Sequence, residues 1–274
     1  VSVAPLRTVF CTSGGVHGAL VLRRLLACAD IELCGLVHSS RVLDPRFGFV
    51  RGGLEQIRRS GLRYAGYLFC ATTVADLLRA LPGGGGGPAR RRGVAHLVTR
   101  DLNDAAGLAF LRACAPELLV SAFFNQRLRE PALGVARLGS VNIHPSLLPQ
   151  LRGVDPGFQA RLQGLSMGVT VHRMTPQLDA GGILHRQAVP VPTGASVLAA
   201  TALLFDAGAQ ALVGLLERIR AGDPGTPQQG PGSYQSWPTR AQVRALRARG
   251  ATLLRPSDLA LLAGRGPVLT RVNA

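Results

Sequence analysis

The chain has no lysine: all 31 of its basic residues are arginine, set against 15 acidic ones. With the many alanines, glycines and prolines, that absence is the imprint of a GC-rich genome. A net charge of +16 ordinarily points to an acidic partner such as nucleic acid or a phosphate ester. Here the arginines are spread along the chain. The one tight cluster, Arg90-Arg91-Arg92, follows five glycines and reads as a solvated loop. Cysteine is sparse too. Cys11, Cys28, Cys34, Cys70 and Cys114 are scattered without a CxxC pair, which argues against a disulfide framework and a zinc knuckle. The opening residues lack the layout of a signal peptide, and no uninterrupted apolar run approaches about 18 residues, so no membrane span and a cytoplasmic location are expected. There is no GxGxxG and no internal repeat.

What is present is alternation. Arg7–Cys11 reads as a strand, Thr12-Ser13-Gly14-Gly15 as a turn, Gly18–Ala29 as a helix and Ile31–Val37 as a second strand. Further on, Gly53–Arg59 is helical, Tyr67–Phe69 suggests a short strand, and Thr73–Leu81 a helix opened by a threonine cap. Gly83–Gly87 is a loop and Val94–Val98 a strand. Asp101 or Asn103 caps a helix over Ala105–Cys114, and Glu117–Ser121 is the next strand. In the second half, Ser140–His144 is a strand, Asp155 caps a helix through Gln163, and Gly168–Met174 and Ile183–Val191 form a hairpin-like pair. Ser196 caps an apolar helix over Val197–Ile219. Gly222–Pro238 is extended, and Ala241–Arg249 and Ser257–Ala263 are short helices. The expected class is α/β: a doubly wound, mostly parallel sheet, with antiparallel strands near its active edge and a short, mainly helical C-terminal extension. The division falls between a catalytic unit, 1–221, closed by the long helix, and an extension, 222–274.

The most informative stretch is Asn142-Ile143-His144-Pro145-Ser146-Leu147-Leu148-Pro149. Alternation along a strand puts Asn142 and His144 on one face. Pro145 ends the ladder directly after them. An amide and an imidazole therefore sit together at a strand's carboxyl end, where open α/β sheets bind ligands. Later comes Gln177-Leu178-Asp179-Ala180-Gly181-Gly182, an acid in a glycine-rich turn. Amide, imidazole and carboxylate together can stabilise an oxyanion and move a proton. His172 and His185 have no partner at metal-ligand spacing and read as structural. Tyr234 and Trp237 read as packing anchors. The Thr12–Gly15 turn reads as a tight turn, though a helix N-terminus also suits a phosphate.

These two motifs, with Arg152-Gly153 behind the first and Gly168-Val-Thr-Val-His-Arg-Met174 ahead of the second, resemble the signature of the folate-dependent formyltransferases. That family includes methionyl-tRNA formyltransferase, glycinamide ribonucleotide transformylase and the sugar N-formyltransferases. The resemblance runs from about Glu117 to Val191 by position in this chain, and more weakly over Thr8–Gly15. It implies a Rossmann-like fold and formyl transfer from 10-formyltetrahydrofolate to an amine, without a metal. It implies Asn142 as oxyanion donor, His144 as proton shuttle and Asp179 as the group that holds and polarises His144. It also implies folate contacts from Asn125-Gln126-Arg127-Leu128 and from Ser146-Leu147-Leu148-Pro149. Phe123-Phe124 departs from the Gly or Tyr many members carry; the pair either narrows the pterin pocket or packs beneath it. The C-terminal part lacks the strand–turn rhythm of the tRNA-binding barrel of methionyl-tRNA formyltransferases, so a small-molecule amine is the favoured acceptor, with initiator tRNA second. A non-catalytic folate-binding relative is a third reading, opposed by the three intact positions.

Overall fold

The computed structural model of the protein describes residues 4–80 and 93–264. The five-glycine run and Arg90–Arg92 lie outside the described residues. Short apolar runs rich in Val and Leu build seven strands into one sheet in the order β3-β2-β1-β4-β5-β7-β8. These are β1 (Leu6–Thr12), β2 (Ile31–Ser39), β3 (Ala95–Thr99), β4 (Leu118–Ala122), β5 (Ser140–His144), β7 (Gly168–Arg173) and β8 (Ile183–Ala188). The first five pair in parallel, whereas β7 runs antiparallel to β5 and to β8. The doubly wound, mostly parallel sheet and its antiparallel hairpin are thus as the sequence predicts. A two-residue β6 (Arg152–Gly153) pairs in parallel with β9 (Tyr234–Gln235).

β4 and β1 are buried on both faces, as parallel strands covered by helices must be. One face is packed by α1 (Gly15–Ala27) and the apolar helix α8 (Val197–Gly214), which Ser196 caps through the amide of Ala199. α8 is long enough and apolar enough to cross a membrane, with mean hydropathy 1.6, but 61% of it is buried inside the fold. Its one acid, Asp206, is held by both arms of Arg24 at 2.9 Å. Such a bidentate pair clamps α8 to α1. The other face carries α5 (Ala105–Cys114) and the short α6 (Glu130–Leu133).

Four local expectations are corrected. Tyr67–Phe69 is helical, within α3 (Leu62–Phe69), which follows α2 (Phe49–Ser60), because Tyr64, Tyr67, Ala71 and Ala75 recur at three- and four-residue spacing and are all buried on one face. Thr73 caps nothing. The helix is already running and passes through a π turn, Cys70–Val74, into α4 (Ala75–Ala80), with the Thr72 hydroxyl donating back to the Leu68 carbonyl. Asp104, not Asp101 or Asn103, caps α5 by accepting from Gly107 N, while Asp101 accepts from Asn103 in the preceding turn. The long helix stops at Gly214 and restarts as α9 (Leu216–Arg220).

The C-terminal segment does not hang free. α10 (Arg240–Ala248) and α11 (Leu259–Leu262) bury Val243, Leu246 and Leu262 in one apolar cluster with Tyr64, Tyr67, Leu198 and Phe158. Phe158 belongs to α7 (Pro156–Gln163), capped by Asp155 as expected. β9 and the coil before it run beside the turn that follows β5.

α8 approaches β5 and β7 closely at Gly208. A methyl group there would come within 2.3 Å of Ile143 Cγ2 and 2.7 Å of Val169 Cγ2. Gly208→Ala should therefore push the helix off β5 and lower stability by about 1–3 kcal/mol. Urea unfolding measures it, and an unchanged midpoint would show that the helix moves without cost.

Candidate active site

Pro145 ends β5, so Asn142 and His144 stand at its carboxyl end, beside the β1 and β4 ends of the parallel sheet. They line a cleft of about 820 Å³ that also takes in Asp179, His172 and the loop Asn125–Leu128. Asp179 arrives from the β7–β8 connection with a left-handed backbone, φ 51°, which turns its carboxylate inward. One oxygen accepts from Gly153 N at 2.8 Å. The other lies 3.7 Å from His144 Nδ1 and 3.7 Å from His172 Nε2. The Gly153 position is open only to glycine: φ is 99°, and a Cβ would stand 2.2 Å from the Gln235 carbonyl oxygen. The acid's turn is tied further by Gln228, whose amide nitrogen donates to the carbonyls of Asp179 and Gly181 and whose oxygen accepts from Arg152.

The hydrogen bonds decide both imidazole tautomers. His144 Nε2 meets the Leu151 carbonyl at 2.9 Å, which can only accept, so Nε2 carries a proton and Nδ1 is the nitrogen turned toward Asp179. His172 Nδ1 meets the Arg173 carbonyl at 2.7 Å, so its Nε2 is the acceptor. Asn142 Nδ2 stands 3.2 Å from that nitrogen. The Asn142 amide is thereby fixed with one N–H spent on His172 and the other left to donate. Sequence spacing alone makes His172 structural, for want of a metal-spaced partner. The signal that finds it is register, since Asn142 pairs directly with His172 across β5 and β7. Burial lowers the His172 pKa to about 4, with Asp179 pulling the other way, so the ring is neutral near neutrality.

The other expected positions divide. Asn125 and Gln126 line the cleft, but their side chains are consumed in holding the loop. Asn125 accepts from Ser39 and donates to Arg41 O; Gln126 accepts from Leu102 N and donates to Ser39 and Thr99 O. Arg127 reaches across to the Pro176 carbonyl, and Leu128 is buried in the core below. Ser146, Leu147, Leu148 and Pro149 stand apart from the residues lining the cleft. Ser146 donates to Gln150 O, and Leu148 is bonded through its amide to Thr170 and through its carbonyl to Arg186. Phe123 packs beneath the cleft, its ring 4.9 Å from His17 and 6.0 Å from Phe205. Tyr234 and Trp237 both line the cleft; Trp237 packs on the C-terminal cluster, as an anchor should, while Tyr234 is 61% exposed. His185 donates to or accepts from Gln187 on β8. No group of three or more His, Cys, Asp or Glu among the described residues could hold a metal.

A family profile described as formyl transferase matches residues 89–216, the stretch that holds all of these catalytic candidates. This segment matches the formyl transferase family. Over 135 residues, 49% of this chain, it is 40% identical to a methionyl-tRNA formyltransferase of Roseiflexus sp., of which it covers 42%. It is 39% identical over 122 residues to the methionyl-tRNA formyltransferase of Moorella thermoacetica, covering 39% of that protein. The chain thus spans less than half the length of these curated relatives. Among solved structures, a sugar N-formyltransferase from Shewanella superposes with TM-score 0.54 at 15% identity, over 84% of this chain and 76% of that one. A phosphoribosylglycinamide formyltransferase from Anaplasma phagocytophilum gives 0.54 at 21% identity, over 84% and 98%. Both likenesses show the formyl transferase fold.

The neutral His172 has a consequence for stability. An unfolded histidine titrates near 6.5, but the buried one stays unprotonated down to about 4. Between those values the unfolded chain binds a proton that the folded chain refuses, so stability is full above the upper value and falls as pH drops toward the lower. His17, lowered by burial to about 3, adds a loss of the same sign. His172→Gln should therefore shrink the drop in urea midpoint between about pH 7 and about pH 5. An equal drop in the variant would rule His172 out as a source.

Proposed function

We propose that this protein transfers a formyl group from 10-formyltetrahydrofolate to an amine of a small-molecule acceptor. The observation that carries the reading is Asp179, held against both imidazoles beside Asn142 at the sheet's carboxyl edge, within a formyl transferase segment. The cleft fits a folate: it falls in the usual size range of ligand pockets, mostly apolar with a few convergent polar groups. A loop whose side chains are spent on anchoring presents its backbone to such a ring. Of the two expected folate segments, Asn125–Leu128 supports this and Ser146–Pro149 acts through the turn it builds.

The bound co-substrate supplies an activated formyl carbon. The chain's residues do the rest. The free N–H of Asn142 donates to the oxygen as negative charge develops there. His144 Nδ1, held facing the cleft by the Nε2–Leu151 bond, takes the proton released by the attacking amine and gives it to the folate nitrogen as the bond from that nitrogen to the formyl carbon breaks. Asp179 stabilises the imidazolium so formed. Neither a metal nor a covalent nucleophile is required by this route.

A second acceptor, initiator methionyl-tRNA, is favoured by one specific observation: the curated relatives named above carry that name. The net charge of +16 agrees with it. The small amine is supported by the C-terminal segment, which packs along the cleft with Tyr234 and Trp237 and walls it.

Tetrahydrofolate release with a panel of amines tests the reaction. His144→Ala should fold and lose about a hundredfold or more in turnover, the usual scale for a lost acid–base group. Full activity in that variant would exclude the assigned shuttle. Asp179→Asn should keep folate binding, weaken turnover and alter the pH–rate profile; an unchanged profile would leave Asp179 only a turn-shaping role. Nonspecific tRNA binding should fade steeply with salt. A sub-micromolar complex with initiator methionyl-tRNA that resists salt would transfer the assignment to the second acceptor.

A further inference from the structure

The matched family segment ends at residue 216, yet the turns that aim His144 and Asp179 are fastened by residues beyond it. Two non-glycine residues at the site have left-handed backbones: Leu151, φ 58°, and Asp179, φ 51°. The first supplies the carbonyl that meets His144 Nε2; the second is the acid itself. A leucine is a rare occupant of that conformation, and such residues persist only where their surroundings fix them. At both positions the fixing groups come from the segment 228–235. The peptide between Leu151 and Arg152 is gripped from opposite sides: its carbonyl by His144, its N–H by the Ser233 carbonyl at 2.8 Å. The Leu151 amide donates to the Ser233 hydroxyl at 2.9 Å, and Val154 N donates to Gln235 O at 2.8 Å. Gln228 ties the other turn. Its Nε2 donates to the carbonyls of Asp179 and Gly181, each at 2.9 Å, and its Oε1 accepts from Arg152 at 2.6 Å. Both of its N–H groups and its oxygen are therefore engaged. Ile183 and Thr226, which exchange backbone hydrogen bonds at 2.8 and 2.9 Å, deliver Gln228 to that turn.

We propose that Gln228 and Ser233 are positioning residues of the transfer reaction: Gln228 sets the turn that carries Asp179, and Ser233 sets the carbonyl that orients His144. The inference rests on the formyl-transfer reading for the reaction they serve. Neither residue touches the reacting atoms. Without the two Gln228 bonds the left-handed turn relaxes, and a carboxylate that stands 3.7 Å from each imidazole loses its aim. Without the Ser233 hydroxyl the Leu151 amide loses its partner, and the peptide that holds the His144 ring is gripped less firmly. Gln228 also joins the two turns, since the Arg152 guanidinium it receives lies between Leu151 and the Gly153 amide that holds Asp179. One segment thus sets both the acid and the imidazole it serves.

Tetrahydrofolate release, its pH–rate profile and the melting temperature are measured on the full chain for Gln228→Ala, Gln228→Glu and Ser233→Ala. Gln228→Glu keeps an acceptor for Arg152 but loses both donors to the Asp179 turn. Each Gln228 variant should lower kcat by about tenfold or more, the scale of a slightly misplaced catalytic group. KM for 10-formyltetrahydrofolate should stay within about twofold. The limb of the pH–rate profile that belongs to His144 should move in the same direction as in Asp179→Asn. Ser233→Ala should lower kcat less, and Ser233→Thr, which keeps the hydroxyl, should restore it. A loss of kcat with an unmoved limb, or wild-type kcat in Gln228→Glu, would overturn the proposal. Should Gln228→Ala melt below the assay temperature, the other two variants decide; failure of all three to fold makes the segment structural only and overturns it as well. A second readout needs no turnover. In the ¹⁵N spectrum of histidine-labelled protein, the ring signal absent from His144→Ala identifies His144, and its titration should shift in Gln228→Ala. An unshifted titration counts against positioning whatever the rates. Failure of the formyl-transfer reading looks different: the titration shifts, but no amine releases tetrahydrofolate.

Discussion

The site depends on where one carboxylate is held. Asp179 stands in a left-handed turn, with an oxygen fixed by the amide of Gly153 and its backbone tied by Gln228. Those two anchors come from different parts of the chain, the turn after β5 and the segment before β9. Both must be in place before the second oxygen can face His144 and His172 together. At 3.7 Å from both rings the acid makes no direct hydrogen bond with either, and stands ready to stabilise a proton that arrives on the His144 side. That is the electrostatic condition a proton shuttle needs, because the charged form is stabilised only when it is created.

Asymmetry between the two histidines follows from their backbone partners. Each gives its proton to a carbonyl, His144 through Nε2 and His172 through Nδ1. The remaining nitrogen of His144 is left toward the acid and the cleft, whereas that of His172 is engaged by Asn142. In the proposed reaction His172 works through Asn142, by fixing which way the amide points. A neutral, deeply buried ring suits that positioning task and would make a poor shuttle.

The cleft then has two chemically distinct ends. Near β5 lie the amide, the imidazoles and Asp179. Near β1 lie Asp76, His38 and the buried His17, with the aromatic floor of Phe123 and Phe205 between. The C-terminal helices complete the wall through a cluster shared with α3, α7 and α8.

Much of this was legible in residue order. Strand alternation in Asn142-Ile143-His144, the proline after it, the caps at Asp155 and Ser196 and the glycine-rich turn around Asp179 are local signals, and each places its element or residue without knowledge of the rest. Helix period is ambiguous where aromatics stand close together, since Tyr64 and Tyr67 fit burial in either periodicity until Ala71 and Ala75 are counted with them. The remainder belongs to the tertiary structure. That His172 faces Asn142 is a matter of antiparallel register; that Asp76 caps α1 joins residues 61 positions apart. Ser146–Pro149, similar in sequence to a ligand-contacting run, is turned by its own hydrogen bonds away from the cleft lining. By itself the sequence determined the fold class and the identity of the chemical groups, because periodicity, breaks and caps act over a few residues. Only the tertiary structure decided which groups meet, how each ring is oriented and what caps the first helix, because these depend on distances between segments that the chain brings together from opposite ends.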